Sequence, residues 1–429
     1  MLARSVLGRL AASSGPQLLR SIAVAGGRCS VSRMPLLSAL SKTRSFTSTS
    51  PASMKGLMYY GNKDVRYSDD APEPQIQSDN QVKIKVAYCG ICGTDLHEYL
   101  EGPIFFPKDG KKDKISGLKL PLVEGHELSG TVVEVGKNVK NIKVGDKAVV
   151  EASGHCSDRQ YYKDTIEQNK PLCGACKKGM TNICRDLSFL GLGTASGGFG
   201  EYIVYGADHV VRVPESIPLD IAALVEPISV AWHAVERANF KKGETALVLG
   251  GGPIGLATIL ALKGHEAGKI VCSEPALLRR QFAEKLGAEV FNPMDHKDPI
   301  ADLKGLVPEN EGFHASFDCS GIPVTFGTSI SALGAGGTAV NVAIWADKPI
   351  KYMPMCLSYE EKFATGSMGY LVKDFEEVIK ALETGRIPLD AAKMLITGKV
   401  ALKDTISGGY ENLIKHKEKN VKILVSPSA

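Results

Sequence analysis

The sequence predicts an α/β protein of two parts, a β-rich one first and then a doubly wound parallel sheet. Three observations predict it. Short segments alternating apolar and polar residues recur between turn residues through the first part, as in a compact body of short strands. A wholly apolar strand at 245–249 runs directly into a glycine-rich turn and a helix, the order a dinucleotide-binding unit needs. Beyond it strands and helices alternate, as in a parallel sheet covered on both faces. A length of 429 residues leaves room for two domains of ordinary size. The 44% hydrophobic and 23% charged residues are those of a soluble globular chain.

Residues 1–53 stand apart. They contain Arg4, Arg9, Arg20, Arg28, Arg33, Lys42 and Arg44, and no Asp or Glu. Without them the formal charge of +4 falls by seven to about −3, so the body is mildly acidic and its charge does not suggest a nucleic-acid partner. The segment is rich in Arg and Ser, with Leu2, Val6 and Leu10 at helical spacing. That is the composition of a mitochondrial transit peptide, and it predicts delivery to the matrix. A basic tail without an address is the other reading. Arg44-Ser45-Phe46 followed by Thr49 resembles a two-step cleavage signal with a cut near Ser53, and Met54 could start a cytosolic form. No run of 18 apolar residues is present, so no membrane span is expected. The ten cysteines stand partly at metal-ligand spacings, which fits a reducing compartment.

The first domain is expected over 54–227. Strands are predicted at 54–60, 81–87, 128–136 and 146–151 from their alternation. The chemistry is concentrated at Cys92, Thr94, Asp95 and His97, followed by His126 and Glu127. Thiolate and imidazole are the ligands zinc prefers, and a catalytic zinc keeps one position open. The patterns G-x-C-G-T-D-x-H at 90–97 and P-x-x-x-G-H-E at 121–127 resemble the zinc-dependent medium-chain alcohol and polyol dehydrogenases. Residues 95–105 are most similar to the butanediol branch of that family. The resemblance runs from about Met54 to near the end of the chain, and it implies a GroES-like fold for the first domain.

The resemblance also implies roles. Cys92, His126 and Glu226 would hold a catalytic zinc. Glu226 taken alone is equally an acid at a helix start beside Pro227. Glu127 would stand close to the metal as a carboxylate that binds its water or visits it transiently. Asp95 is a candidate acceptor that orients a ligand imidazole. Thr94 and His97 match the family's proton relay, although His97 could be a surface helix residue. Cys173-x2-Cys176-x7-Cys184 looks like the family's structural-zinc lobe, which has one more Cys where Lys170 stands here. Cys156, before a polar insertion at 157–172, is the expected substitute, with His155 as the alternative. Four thiolates make a closed, structural site. Cys89 and Cys92 also spell C-x-x-C, but a redox role would leave His126, Glu127 and Glu226 without purpose. The loop 103–120 carries several lysines; Ile104-Phe105-Phe106 at its start could wall a substrate pocket or pack into the core.

The second domain is expected over 228–370. Gly250, Gly252, Ile254 and Gly255 form the cofactor turn after strand 245–249. The glycines let the backbone approach a pyrophosphate at a helix N-terminus. Glu274, after strand 269–273, would accept hydrogen bonds from a ribose and repel a 2′-phosphate, which argues for NAD. Arg279 and Arg280 leave NADP open; the resemblance places Arg279 near the ribose or adenine. Further strands are expected at 289–291, 315–321 and 338–343, with a helix at 281–286. A helix at 374–382 and a strand at 421–425, within residues 371–429, are expected to return to the first domain.

The expected activity is hydride transfer from a secondary alcohol to NAD+. A vicinal diol is favoured, (R,R)-2,3-butanediol giving acetoin, with the reverse reaction also available. A sorbitol- or xylitol-type polyol dehydrogenase is the alternative. A zinc- and NAD-binding scaffold or redox sensor without turnover is a rival of another class, but it would not need an open metal position. The resemblance implies a homodimer or homotetramer.

Overall fold

Three sheets carry the fold, with a short Ser153–Gly154/Ser188–Phe189 pair beside them. The computed structural model describes residues 52–427 apart from 109, 164, 166, 168, 346 and 347. The expected transit peptide therefore lies outside the described residues, save its last two positions. Ser53 opens the first strand, Ser53–Gly61, which pairs antiparallel with Asp64–Pro72 and with Leu122–Val123.

A seven-stranded sheet organises the β-rich part. Its centre is Gln81–Gly90, paired antiparallel with Glu127–Val135. Lys147–Val150 and Val210–Val213 extend the sheet beyond Glu127–Val135. Tyr202–Gly206 pairs with the start of Gln81–Gly90. At the far end of the same strand, Lys422–Ser426 pairs with Cys89 and Gly90, and Ile396–Ala401 follows it. The last strand of the chain thus completes a sheet begun more than three hundred residues earlier. Val82, Ile84, Val86, Leu128, Val132, Ile203 and Val425 are buried together in its core.

The third sheet is parallel throughout. Across it the strands run Glu289–Phe291, Lys269–Ser273, Thr245–Leu249, Phe313–Asp318, Leu333–Asn341 and Phe363–Gly366. In order of occurrence this is 3-2-1-4-5-6, the doubly wound arrangement of dinucleotide-binding domains. The apolar run at 245–249 explains itself here. Ala246 and Val248 enter one core and Leu247 and Leu249 the other, so both faces of the strand are buried.

Several expected element ends shift, among them the strand placed at 315–321, observed at Phe313–Asp318, and the helix placed at 281–286, observed at Leu277–Lys285. The strand placed at 338–343 begins at Leu333; Gly334, Gly336 and Gly337 dilute the apolar pattern that would have marked it, and Gly336 has φ +70°. The boundary placed at 227/228 falls inside one helix, Val225–Arg237. This helix packs against Val372–Glu383 and Pro253–Gly264, so the chain passes from the metal-ligand region into the parallel-sheet region without a linker.

Candidate catalytic site and cysteine lobe

Cys92 ends the turn after the central strand Gln81–Gly90 and caps the helix Gly93–Glu101. Asp95, in the first turn of that helix, accepts the Cys92 N–H through Oδ2 at 2.8 Å. Its other oxygen lies 3.4 Å from His126 Nδ1. One buried carboxylate therefore fixes the thiol-bearing turn and stands beside the imidazole without a hydrogen bond to it, in the place of a second-layer group that orients metal ligands. His126 follows Gly125, which has φ +99°, a conformation glycine adopts at no steric cost. Gly191 and Gly197 press on the Gly125 peptide so closely that a Cβ at either would collide with it.

Glu127 is the next residue, and the register pairs it with Gly90. Ligand atoms of Cys92, His126 and Glu127 all lie within 4.8 Å of one another. Glu226, the expected third ligand, is not within that mutual spacing. It sits buried in the first turn of Val225–Arg237. Burial, then the Glu127 charge, pushes its carboxyl up to about 7, while His126 and Lys422 pull the other way. The buried Tyr370 hydroxyl influences Glu226 without standing in hydrogen-bonding geometry to it.

Lys422 is the residue that sequence reasoning missed. Its ammonium is buried, 2.6 Å from both Glu127 oxygens and 3.0 Å from the Ile91 carbonyl. Burial alone would lower its pKa; Glu127 and then Cys92 outweigh that and raise it, so it stays charged. The pair crosses above Gly90, where a Cβ would collide with the Glu127 carboxylate. No local pattern marks Lys422, because its partner is 295 positions away.

This donor set fits a zinc ion. Burial lowers the His126 pKa, but Asp95 and then Cys92 raise it well above its ordinary value. The same negative field favours a metal cation. Thr94 Oγ1 lies 3.6 Å from Cys92 Sγ, beside the ligands, whereas His97 is exposed on the helix. Glu98 turns inward and accepts the Ile104 and Phe105 N–H groups. Phe106 stacks on Tyr59 at 4.3 Å in the core.

The cysteine lobe brings Cys156, Cys173, Cys176 and Cys184 within 4.8 Å of one another. Backbone N–H groups point at the sulfurs: Cys173 N–H to Cys156, Cys176 N–H to Cys173, and Cys156 and Asp186 N–H to Cys184, all at 3.3–3.5 Å. Donors from Arg185 and then Cys176 bring the Cys173 thiol down to about 6, while burial pushes Cys176 up and Cys184 up to about 11. Such N–H donors stabilise thiolates, the ligand form zinc requires. His155, the alternative fourth ligand, is turned elsewhere. Lys170, at the position of the missing cysteine, pairs with Glu167 at 2.9 Å.

At the glycine turn, Gly250 has φ +103°, and a Cβ on Gly255 would strike the Gly250 carbonyl. Ile254 follows Pro253 at the start of helix Pro253–Gly264. Glu274 Oε2 accepts the Gly251 N–H at 2.7 Å and Oε1 the Ala276 N–H at 2.8 Å. The acid thus ties the turn to the next strand, and each oxygen keeps a lone pair for a ribose. Arg279 lies 3.9 Å from Glu274 and donates to the Lys417 carbonyl. Arg280 donates to the carbonyls of Glu274 and Pro275.

Residues 78–215 match the alcohol dehydrogenase GroES-like domain and residues 253–384 the zinc-binding dehydrogenase domain. The chain belongs to the zinc-binding alcohol dehydrogenase family. The dehydrogenase is 51% identical over 376 residues to the (R,R)-butanediol dehydrogenase of Saccharomyces cerevisiae, covering 87% of this chain and 98% of that one. It is 47% identical to a probable (R)-acetoin-forming diacetyl reductase of the same organism, covering 87% and 90%. The crystal structure of 2R,3R-butanediol dehydrogenase from Bacillus subtilis superposes with a TM-score of 0.77 at 36% identity, covering 87% of this dehydrogenase and 100% of that chain. Membership makes the dehydrogenase a zinc- and nicotinamide-dependent oxidoreductase acting on a small molecule. Among the described residues, no helix is long and apolar enough to cross a membrane.

Proposed function

We propose that this dehydrogenase interconverts (R,R)-2,3-butanediol and acetoin with NAD+. The observation that carries the reading is the 51% identity to a relative of that name over nearly its whole length. Cys92 and His126 would hold the catalytic zinc together with a carboxylate, Glu127 standing within their mutual spacing and Glu226, the expected third ligand, outside it. The observed triad of Cys92, His126 and Glu127 supports Glu127 as a carboxylate able to approach the ion. When bound, zinc supplies Lewis-acid polarisation, which for bound water is worth roughly nine pKa units. Thr94, beside the Cys92 thiol, would take the hydroxyl proton, and the exposed His97 would release it to solvent. When bound, the nicotinamide would accept the hydride of the carbinol C–H bond, leaving the ketone. Cys156, Cys173, Cys176 and Cys184 hold a structural zinc.

Glu274 beside the glycine turn supports NAD over NADP, since a 2′-phosphate would meet its carboxylate. An exposed edge supports a homo-oligomer: Phe363 on the outermost parallel strand is 63% exposed and Tyr359 nearby 83%, a surface that pairing with a second copy would cover. The acid-free basic leader supports import into the mitochondrial matrix. Incubating the full chain with isolated mitochondria should give a protected form beginning near Ser53, and a chain left unshortened outside them would reject the address.

The deciding experiment is kcat/KM on (R,R)-2,3-butanediol against xylitol, each with NAD+ and NADP+. The diol with NAD+ should be preferred by at least about tenfold, a difference of about 1.4 kcal/mol. A preference for xylitol would replace the diol reading with a polyol one.

A further inference from the structure

Behind the cysteine lobe lies another cluster of metal-ligating side chains. His155 immediately precedes Cys156, but the two serve different neighbours. Cys156 joins the thiols, whereas donor atoms of His155, Asp158 and His209 lie within 4.8 Å of one another. His155 Nδ1 is 3.2 Å from Asp158 Oδ1, and His209 Nε2 is 3.1 Å from the same oxygen. Ligands 2.0–2.1 Å from a tetrahedral zinc stand about 3.3–3.4 Å apart, so both spacings suit a single ion.

The surrounding bonds leave the Asp158 and His209 atoms free to face it, while His155 Nδ1 also meets the Ser157 hydroxyl at 2.6 Å. Asp158 Oδ2 accepts the His155 N–H at 2.7 Å, which leaves Oδ1 unused. His209 Nδ1 lies 2.6 Å from Glu151 Oε2, and the other Glu151 oxygen accepts the Ser153 N–H at 3.0 Å. The Glu151 carboxylate therefore fixes the His209 ring through Nδ1 and turns Nε2 inward, the carboxylate–histidine arrangement of metal sites. Asp158 Oδ1 and His209 Nε2 are buried without a hydrogen bond, on residues only 1% exposed. Burial lowers the His209 pKa but Asp158 and then Glu151 raise it well above its ordinary value, so this dry contact needs a positive charge, which either a proton on Nε2 or a shared metal cation supplies.

We propose that His155, Asp158 and His209, oriented by Glu151, form a third metal site for a divalent cation of the zinc class. Its ligands are two imidazoles and a carboxylate, and the Ser157 hydroxyl hydrogen-bonds His155 Nδ1 at 2.6 Å. Tyr205 packs its ring 4.8 Å from His209 and all three ligand residues are buried, as suits a structural site. It fastens the start of the cysteine insertion, through Asp158, to the β-rich sheet, through Glu151 and His209.

The test is the metal content of the full-length chain by native mass spectrometry after zinc loading and removal of loosely held ions. The expected count is three per chain, one for each cluster. Asp158→Asn and His209→Gln should each lower it by one, and so should Cys92→Ser through a different site. Cobalt exchange gives a second readout without activity. Asp158→Asn should lose visible bands of nitrogen- and oxygen-bound cobalt while keeping the near-ultraviolet thiolate bands of the cysteine lobe. A wild-type count that Asp158→Asn leaves unchanged, with unchanged cobalt spectra, overturns the proposal; His209 is then an imidazolium between Glu151 and Asp158. If both variants fail to fold, the wild-type count decides alone, since two ions per chain leave none for this cluster.

Discussion

Lys422 ties the last strand to the metal-ligand cluster by a buried charge. Removing one partner of a buried ion pair costs about 3–5 kcal/mol, because the other charge is stranded. Lys422→Met should therefore lower stability by that amount in denaturant titration, and adding Glu127→Leu should recover part of the loss. Additive losses would show that the pair contributes nothing as a pair. Cys92→Ser should cut kcat by roughly a thousandfold, the several kcal/mol that a Lewis acid contributes. NAD+ affinity should survive, because the glycine turn belongs to another sheet; retained turnover would reject Cys92 as a ligand. At this scale the sequence was unevenly legible. Cys92, His126 and the four lobe thiols stand in short, spaced motifs. Lys422 and the Glu151–His209 pair do not, since their partners meet only through sheet pairing across 295 and 58 positions. Glu226 was visible only through resemblance: beside Pro227 it has the pattern of any acid opening a helix.

The elements were easier to foresee than their ends. Thr245–Leu249 was legible because burial on both faces demands an unbroken apolar run. The strand beginning at Leu333 was not, because its glycines carry no side chain to show a period. Glycine also provides the sharpest element-level prediction. A methyl group at 255 would strike the Gly250 carbonyl, forcing apart the turn and the helix start that should receive the pyrophosphate. Gly255→Ala should weaken NAD+ binding at least about tenfold, equivalent to about 1.4 kcal/mol, by titration calorimetry, with zinc content unchanged. Normal affinity would mean that the turn yields without cost.

For the whole molecule, metal and fold are expected to be linked. The cysteine lobe has a small core of its own, built from the thiols with Ala175 and Leu187, so a closed metal site there supplies folding energy directly. Strong chelation should abolish activity and also lower Tm by several degrees, with zinc restoring both; activity lost at an unchanged Tm would confine the metal's role to catalysis. The strand order has a further consequence for a chain emerging from the ribosome. Every strand of the parallel sheet lies between residues 245 and 366, so that sheet can close while synthesis continues. The β-rich sheet must wait for Lys422–Ser426 to pair with Cys89 and Gly90. Until then Glu127 has no counter-charge and the alcohol-binding half is unfinished. A chain folding from its N-terminal end can thus assemble its nicotinamide fold before the sheet that carries Cys89, Gly90 and Glu127 is complete.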